Sequence, residues 1–304
     1  MGMNKAPDKL QPTQSPPDGH DEIVHAGATK RQRRDSVATT AEQPPARPDA
    51  ARLKLLADLR RLSFAALRAQ PPDYAQARFW LLHASRRGDA WASLTLGLLH
   101  GEGLGGTADP KRAARLFRRA GRSGDPEGMF RCGVAFQFGE GVPEDGKEAA
   151  RWYARAARAG HSCAAFNLAT MLAVGTGIAQ NPARAIRFYE QAAAGGETRA
   201  LVNLANIYVR ADAVAQNLPE AARLYGLAVE QGDAGAAFHL AQLQFHGYGV
   251  ARDLVLAKAL LLFADRQGFQ GAGSMLETVD GEMNAAERRA AVKEATRRWG
   301  RPQQ

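Results

Sequence analysis

A glycine returns every 36 residues along this chain, at Gly88, Gly124, Gly160, Gly196, Gly232 and Gly268. A fixed period of that length is the mark of stacked helical hairpins, because each hairpin has to offer the same faces to the next. With this glycine taken as offset 0, other residue types recur in phase. Offset 8 holds Leu96, Cys132, Leu168, Leu204 and Leu240, and offset 9 holds Gly97, Gly133, Ala169, Ala205 and Ala241. That pairing predicts a filled core position beside a small residue that lets two helices approach.

Offset 21 is Asp109, Asp145, Asn181, Asn217 and Asp253, residues whose side-chain oxygen can accept an orphan N–H at a helix start. Offset 25 is alanine throughout: Ala113, Ala149, Ala185, Ala221 and Ala257. Four of five units carry G-x-G at offsets 15 and 17: Gly103/Gly105, Gly139/Gly141, Gly175/Gly177 and Gly247/Gly249. The offset 0 glycine suits the left-handed residue that ends a helix. Each unit therefore reads as helix A at offsets 2–14, a loop, and helix B at offsets 22–34.

The run GEGVPEDGKEAARWYARAARAG at residues 139–160, and AFNLA at 165–169 followed by GTGI at 175–178, resemble the Sel-1-like repeat family, relatives of tetratricopeptide repeats with a longer loop between the helices. The resemblance covers about residues 70–268. It implies an all-α fold, a right-handed α/α superhelical solenoid of helix-loop-helix repeats. It also implies a non-enzymatic scaffold or adaptor that binds a protein or peptide partner, in adaptor complexes, signalling regulation or host interaction by bacteria.

Residues 51–87 are expected to form a degenerate capping repeat, with helix A near 53–69 and helix B matching Asp73 to Ala84. Residues 88–267 hold five repeats, and 268–304 are expected to be capping helices, with Asn284 and Glu287 spaced as a capping box. The fourth unit departs from the pattern, with Ala211 and Ala213 in place of the G-x-G glycines. Its loop is expected to be partly helical or shifted.

In helical-hairpin solenoids helix A lines the concave face, which puts two rows forward as a binding surface. Offset 6 holds Leu94, Phe130, Phe166, Val202 and Phe238; offset 7 holds Thr95, Arg131, Asn167, Asn203 and His239. The candidate protein-binding residues are Phe130, Arg131, Phe166, Asn167, Asn203, Phe238 and His239, with Asn206, Gln242 and Arg210 further along helix A as polar contacts of lower rank. An aromatic row beside a hydrogen-bonding row would hold an extended peptide or a partner helix. The competing reading makes both rows intrinsic to the repeat, with Asn bonding neighbouring backbone. Arg131 and His239 stand where the family pattern has Asn, and so favour the binding reading.

The formal charge is +9, and it is unevenly placed. Residues 51–88 hold eight basic and two acidic residues, residues 89–123 hold six and three, and both flanking regions are neutral. The candidates there are Arg60, Arg61, Arg86, Arg87, Lys111, Arg112, Arg115, Arg118, Arg119 and Arg122. A basic end can steer an acidic protein, nucleic acid or a membrane surface. Nucleic acid is the weaker ligand class, because no recognised binding motif accompanies the charge. An Arg-rich solvated face is the structural alternative.

Catalytic signatures are missing from the sequence. Two cysteines, Cys132 and Cys163, make no C-x-x-C, and neither a zinc site nor a disulfide framework follows from them. Cys-rich relatives linked to β-lactam binding carry regular pairs in each repeat, which this chain lacks. His239 and His246 lie seven apart on one helix with no carboxylate at ligand spacing. No G-x-S-x-G, H-E-x-x-H or phosphate loop occurs. No cofactor or metal is expected.

No apolar run is long enough to span a membrane, and the N-terminus has no apolar leader core. A cytoplasmic location is expected, or secretion without a cleaved leader. The Pro-, Gln- and Ser-rich residues 1–50 are expected to be disordered, and would serve as the address if the protein is a secreted effector. Lys30 to Arg34 resembles a nuclear localisation cluster, and Arg33 to Ser36 a basophilic kinase site.

Overall fold

A computed structural model of the chain describes residues 50–211 and 214–300. The chain divides into two units, Met1–Arg47 and Pro48–Gln304, and every described element belongs to the second. The expected disordered tail, its basic run and its kinase-like site lie outside the described residues, Ala50 apart.

The described residues form α1 (Ala50–Leu67), α2 (Tyr74–Arg86), α3 (Ala90–Gly101), α4 (Pro110–Arg122), α5 (Pro126–Phe138), α6 (Gly146–Arg158), α7 (Ser162–Val174), α8 (Pro182–Ala194), α9 (Thr198–Arg210), α10 (Leu218–Glu230), α11 (Ala234–His246), α12 (Leu254–Arg266), α13 (Ala272–Glu282) and α14 (Ala285–Trp299). No strand occurs among them. From α1 to α13 each helix packs on the next, and α12 packs on both α13 and α14. This is an all-α solenoid.

Local chemistry fixes the helix boundaries. Asp109, Asp145, Asn181, Asn217 and Asp253 each cap a helix B through a side-chain oxygen, as with Asp109 to the Arg112 N–H at 2.9 Å and Asn181 to the Arg184 N–H at 3.0 Å. Pro110 and Pro182 begin their helices, where a missing N–H costs nothing. Helix A has a capping ladder too, at offset 1, which the sequence reading did not pick out: Asp89, Asp125 and Asp233 accept from backbone N–H groups, and His161 does so through Nδ1.

The two classes of glycine meet different needs. The offset 0 glycines have φ between 75° and 92°, and a Cβ at Gly124, Gly160, Gly196 or Gly232 would touch nothing. Their requirement is the left-handed backbone alone. At offset 17 the requirement is also space: a Cβ on Gly105 would stand 2.5 Å from the Tyr74 carbonyl carbon, and one on Gly141 would run into Pro110. The second glycine of each loop thus seats it on the first turn of the preceding helix B.

The fourth unit corrects an expectation. Its helix A, α9, stops at Arg210 in register with the others, and Ala211 takes the left-handed conformation itself, φ 58° and ψ 22°. The loop is therefore neither helical nor shifted at that residue. An alanine there carries about 1 kcal/mol of strain that glycine would not, and the repeat geometry imposes it. Ala213 lies outside the described residues.

The core follows the repeat. Leu96, Cys132, Leu168 and Leu204 are at most 4% exposed, and the offset 25 alanines are at most 3% exposed. Buried apolar side chains form two clusters, one drawn from α1 to α4 and ending at Leu116, the other running from Met129 to Ala291. Phe117 of α4 packs against the second cluster, so the two meet at that helix.

Candidate protein-interaction site

The offset 6 and 7 side chains of helix A are all half-buried. They sit beside a third row, at offset 29 of helix B, consisting of Phe117, Tyr153, Tyr189, Tyr225 and Leu261. The small residue at offset 9 makes room for this ring: a Cβ on Gly97 would stand 2.6 Å from the Phe117 ring, and one on Gly133 would overlap Tyr153.

Burial pushes the Tyr153 and Tyr225 hydroxyls up to about 12, so both remain neutral hydrogen-bonding groups. Tyr153 donates to Gln137 Oε1 at 2.6 Å and is bonded by Asn167 of the next repeat. Tyr189 shares a 3.1 Å bond with Thr170 Oγ1 and accepts from Asn203 Nδ2 at 3.2 Å. Tyr225 donates to Asn206 Oδ1 at 2.5 Å, and His239 lies against its ring at 5.4 Å. Asn167, Asn203 and His239 at offset 7 therefore meet the tyrosine of the preceding helix B, where the structural alternative expects neighbouring backbone as the partner of Asn. His239 Nδ1 reaches Gln242 Oε1 at 3.4 Å. His246 is exposed and stacks on Tyr248, so the two histidines share no partner.

The aromatic row has its own neighbours. Phe130 stacks on His161 with ring centres 4.6 Å apart, Phe166 lies 5.8 Å from Tyr189 beneath the Arg199 guanidinium, and Phe238 meets Phe269 at 5.1 Å. A charged cluster adjoins Phe130. Glu127 is paired with His161 Nε2 at 2.9 Å and with Arg131 at 2.6 Å. The His161 hydrogen bond, with Arg131 adding to it, holds the Glu127 carboxyl below the usual range. Neither Glu127 nor His161 was legible as a site residue; the signal was an N-cap position occupied by His in one unit only.

The tyrosine row breaks at its first member. Phe117 has no hydroxyl, Arg131 stands at the offset 7 position that would meet it, and offset 10 is Leu98 and Val134 where later repeats have Thr170, Asn206 and Gln242. A cavity of about 480 Å³ opens at this point, walled by Leu98, Ala114, Phe117 and Val134 and lined as well by Arg131, Glu102 and Glu140.

The cysteines offer no activated thiol. Burial pushes Cys132 up to about 12. Cys163 is raised by burial and then by the Glu197 carboxylate, the opposite of what a nucleophile needs. Among the described residues no three His, Cys, Asp or Glu side chains converge as a metal site, and no helix is long and apolar enough to cross a membrane.

The Sel1 repeat model matches residues 62–89, 94–125, 126–161, 164–197, 198–233 and 234–269. The chain belongs to the Sel1 repeat family. The first match reaches into α1 and α2, and three of the remaining five each span a full helix pair. Among solved structures, the Sel1 repeat protein from Oxalobacter formigenes is 23% identical and aligns over 82% of this chain and 99% of its own, with a TM-score of 0.64. The protective antigen c5321 of uropathogenic Escherichia coli strains, which displays an SLR fold, is 20% identical over 81% of this chain and 69% of its own, with a TM-score of 0.45. No curated protein matches the chain. Sel1 repeat proteins generally act as protein-interaction scaffolds, and the solenoid is typically non-catalytic.

Proposed function

We propose that this Sel1 repeat protein is a scaffold that holds a partner protein or peptide along the helix A rows, with its main anchor between the first and second repeats. The observation that carries this reading is the cavity of about 480 Å³ at Phe117, Val134 and Arg131. Elsewhere in the rows, tyrosine hydroxyls and Asn side chains satisfy one another. Here a pocket walled by Leu98, Phe117 and Val134 stands open, with the Arg131 guanidinium and the Glu102 and Glu140 carboxylates also lining it. A ring and aliphatic side chains framed by charged groups form a hydrophobic core with a polar rim, as at the anchor points of protein interfaces. Phe130, Phe166 and Phe238, with Asn167, Asn203, Asn206, His239 and Gln242, continue the surface along the repeats. The basic N-terminal end adds a second surface of different character.

Two variants test the reading. Val134→Phe fills the cavity, and Phe166→Ala with Asn203→Ala strips the rows further along. Affinity capture followed by mass spectrometry, run beside circular dichroism, should find that both variants lose the proteins retained by the parent while helicity holds. Unchanged retention on both variants would make the rows structural. Because Phe166 and Asn203 both touch Tyr189, Tyr189→Phe is the control that removes the hydroxyl bonds and keeps the ring.

A further inference from the structure

We infer that the outer face of α1 is a second docking site, one that takes an acidic amphipathic helix of a partner protein stacked on the solenoid as a preceding helix B would be. In each later repeat, helix A is covered on one side by the helix B before it, as α5 is by α4, α7 by α6 and α9 by α8. The helix A of the capping repeat is α1, and no described helix lies over its depression, which Asp89 and Trp91 at the start of α3 border on one side.

Two apolar stripes run along α1. Leu59, Ser63 and Ala66 are buried, with Leu59 and Ala66 in the core cluster that also holds Ala77, Leu81 and Leu96. The second stripe, Leu53, Leu56, Ala57 and Phe64, recurs at helical spacing and lines a depression of about 620 Å³. Leu53 is 50% exposed and Phe64 44%. Phe64 is held in place by stacking on Trp91 at 4.6 Å, so the face is preformed.

Charge identifies the occupant. The other side chains of the depression are Arg60, Arg61 and Arg68, with no carboxylate among them. Arg60 is committed to the buried Asp89 at 2.6 Å, and Arg61 lies 3.4 Å from Asp58. Arg68 sits over the Phe64 ring at 5.9 Å. The surrounding end is basic as well, so a second copy of this chain would meet like charge. A bilayer needs a convex face, whereas a helix ridge fits a depression. At 1.5 Å per residue α1 presents about 27 Å of surface, matching a partner helix of about five turns.

The test uses the full chain and two synthetic 18-residue helical peptides sharing one Leu stripe, one with Glu on its flanks and the other with Lys. Fluorescence anisotropy should show the Glu peptide binding at least about tenfold tighter than its Lys twin, with affinity falling between about 0.05 and 0.3 M salt. Leu53→Ser with Arg61→Glu and Arg68→Glu should abolish that binding. Phe138→Ser, at an exposed site elsewhere, should leave it unchanged. So should Phe166→Ala with Asn203→Ala, which separates this face from the helix A rows.

Equal binding of the two peptides, or full binding by the charge-reversed variant, overturns the proposal. So does capture on anionic vesicles with the same dependence on α1 residues and no peptide binding, which would make the face a membrane contact. A dimer in sedimentation that Leu53→Ser dissolves would overturn it in favour of self-association.

Discussion

At the C-terminal end α12 is covered by both α13 and α14, whereas among the described residues no helix covers the outer stripe of α1. Leu260, Leu261 and Phe263 of α12 are 1%, 0% and 5% exposed, and Trp299 of α14 stacks on Phe263 at 4.9 Å. The face α14 turns to solvent carries Arg288, Arg289, Lys293, Arg297 and Arg298, with Val292 as its one exposed large apolar side chain. By contrast α1 exposes Leu53, Leu55, Leu62 and Phe64. A solenoid stops where a terminal helix offers a polar outer face. By that criterion α14 closes over α12, while the described part of α1 keeps an apolar outer stripe.

The C-terminal closure also depends on specific polar contacts. Lys258, 7% exposed on α12, is bonded to Asp280 of α13 at 2.5 Å, and Arg252 is paired with Glu282. Asn284 accepts from the Glu287 N–H at 3.0 Å while Glu287 accepts from the Asn284 N–H at 2.8 Å, a complete capping box at the start of α14. Both devices fix the angle at which the last helices close over the core.

The contrast between the ends can be measured. Leu261→Ala, inside the closed end, should lower unfolding free energy by about 3 kcal/mol in denaturant titrations; a loss below about 1 kcal/mol would mean that α13 and α14 do not seal α12. Asp280→Ala should cost about 2 kcal/mol by leaving the Lys258 ammonium buried without its partner, a value reduced because Asp280 is 38% exposed. Lys258→Met in the same background should restore most of that loss, and failure to do so would show that the ion pair is not what holds α13. Removing the capping box with Asn284→Ala should cost about 1 kcal/mol, read as a shift in the denaturation midpoint. Smallest of all, Leu53→Ser on α1 should change stability by less than about 0.5 kcal/mol. A larger loss would show that the outer stripe of α1 is already covered in the free protein.

Much of the fold was legible because it is written in local chemistry. The offset 21 Asp and Asn caps, the offset 0 glycines and the Asn284–Glu287 box act within a few residues of themselves, and the structure places helix ends at them. The offset 8 positions are buried as the period requires. The candidate site was legible only as a list of positions. That Asn203 meets Tyr189, fourteen residues back, or that Asn206 meets Tyr225, nineteen ahead, depends on how one helix rotates against another, and the spacing alone does not state it. The offset 29 ring row was present in the sequence at the same 36-residue period, but its purpose appeared only when the glycine at offset 9 was seen to clear it.

The sequence by itself determined that this chain builds hairpins of constant size and stacks them, because caps, left-handed turns and periodic apolar positions act through the backbone at short range. Only the tertiary structure decided where the stack leaves something unsatisfied. The cavity at Phe117 and Arg131 and the open stripe of α1 arise from side chains brought together across helices, where van der Waals fit and charge are settled by geometry rather than by order along the chain.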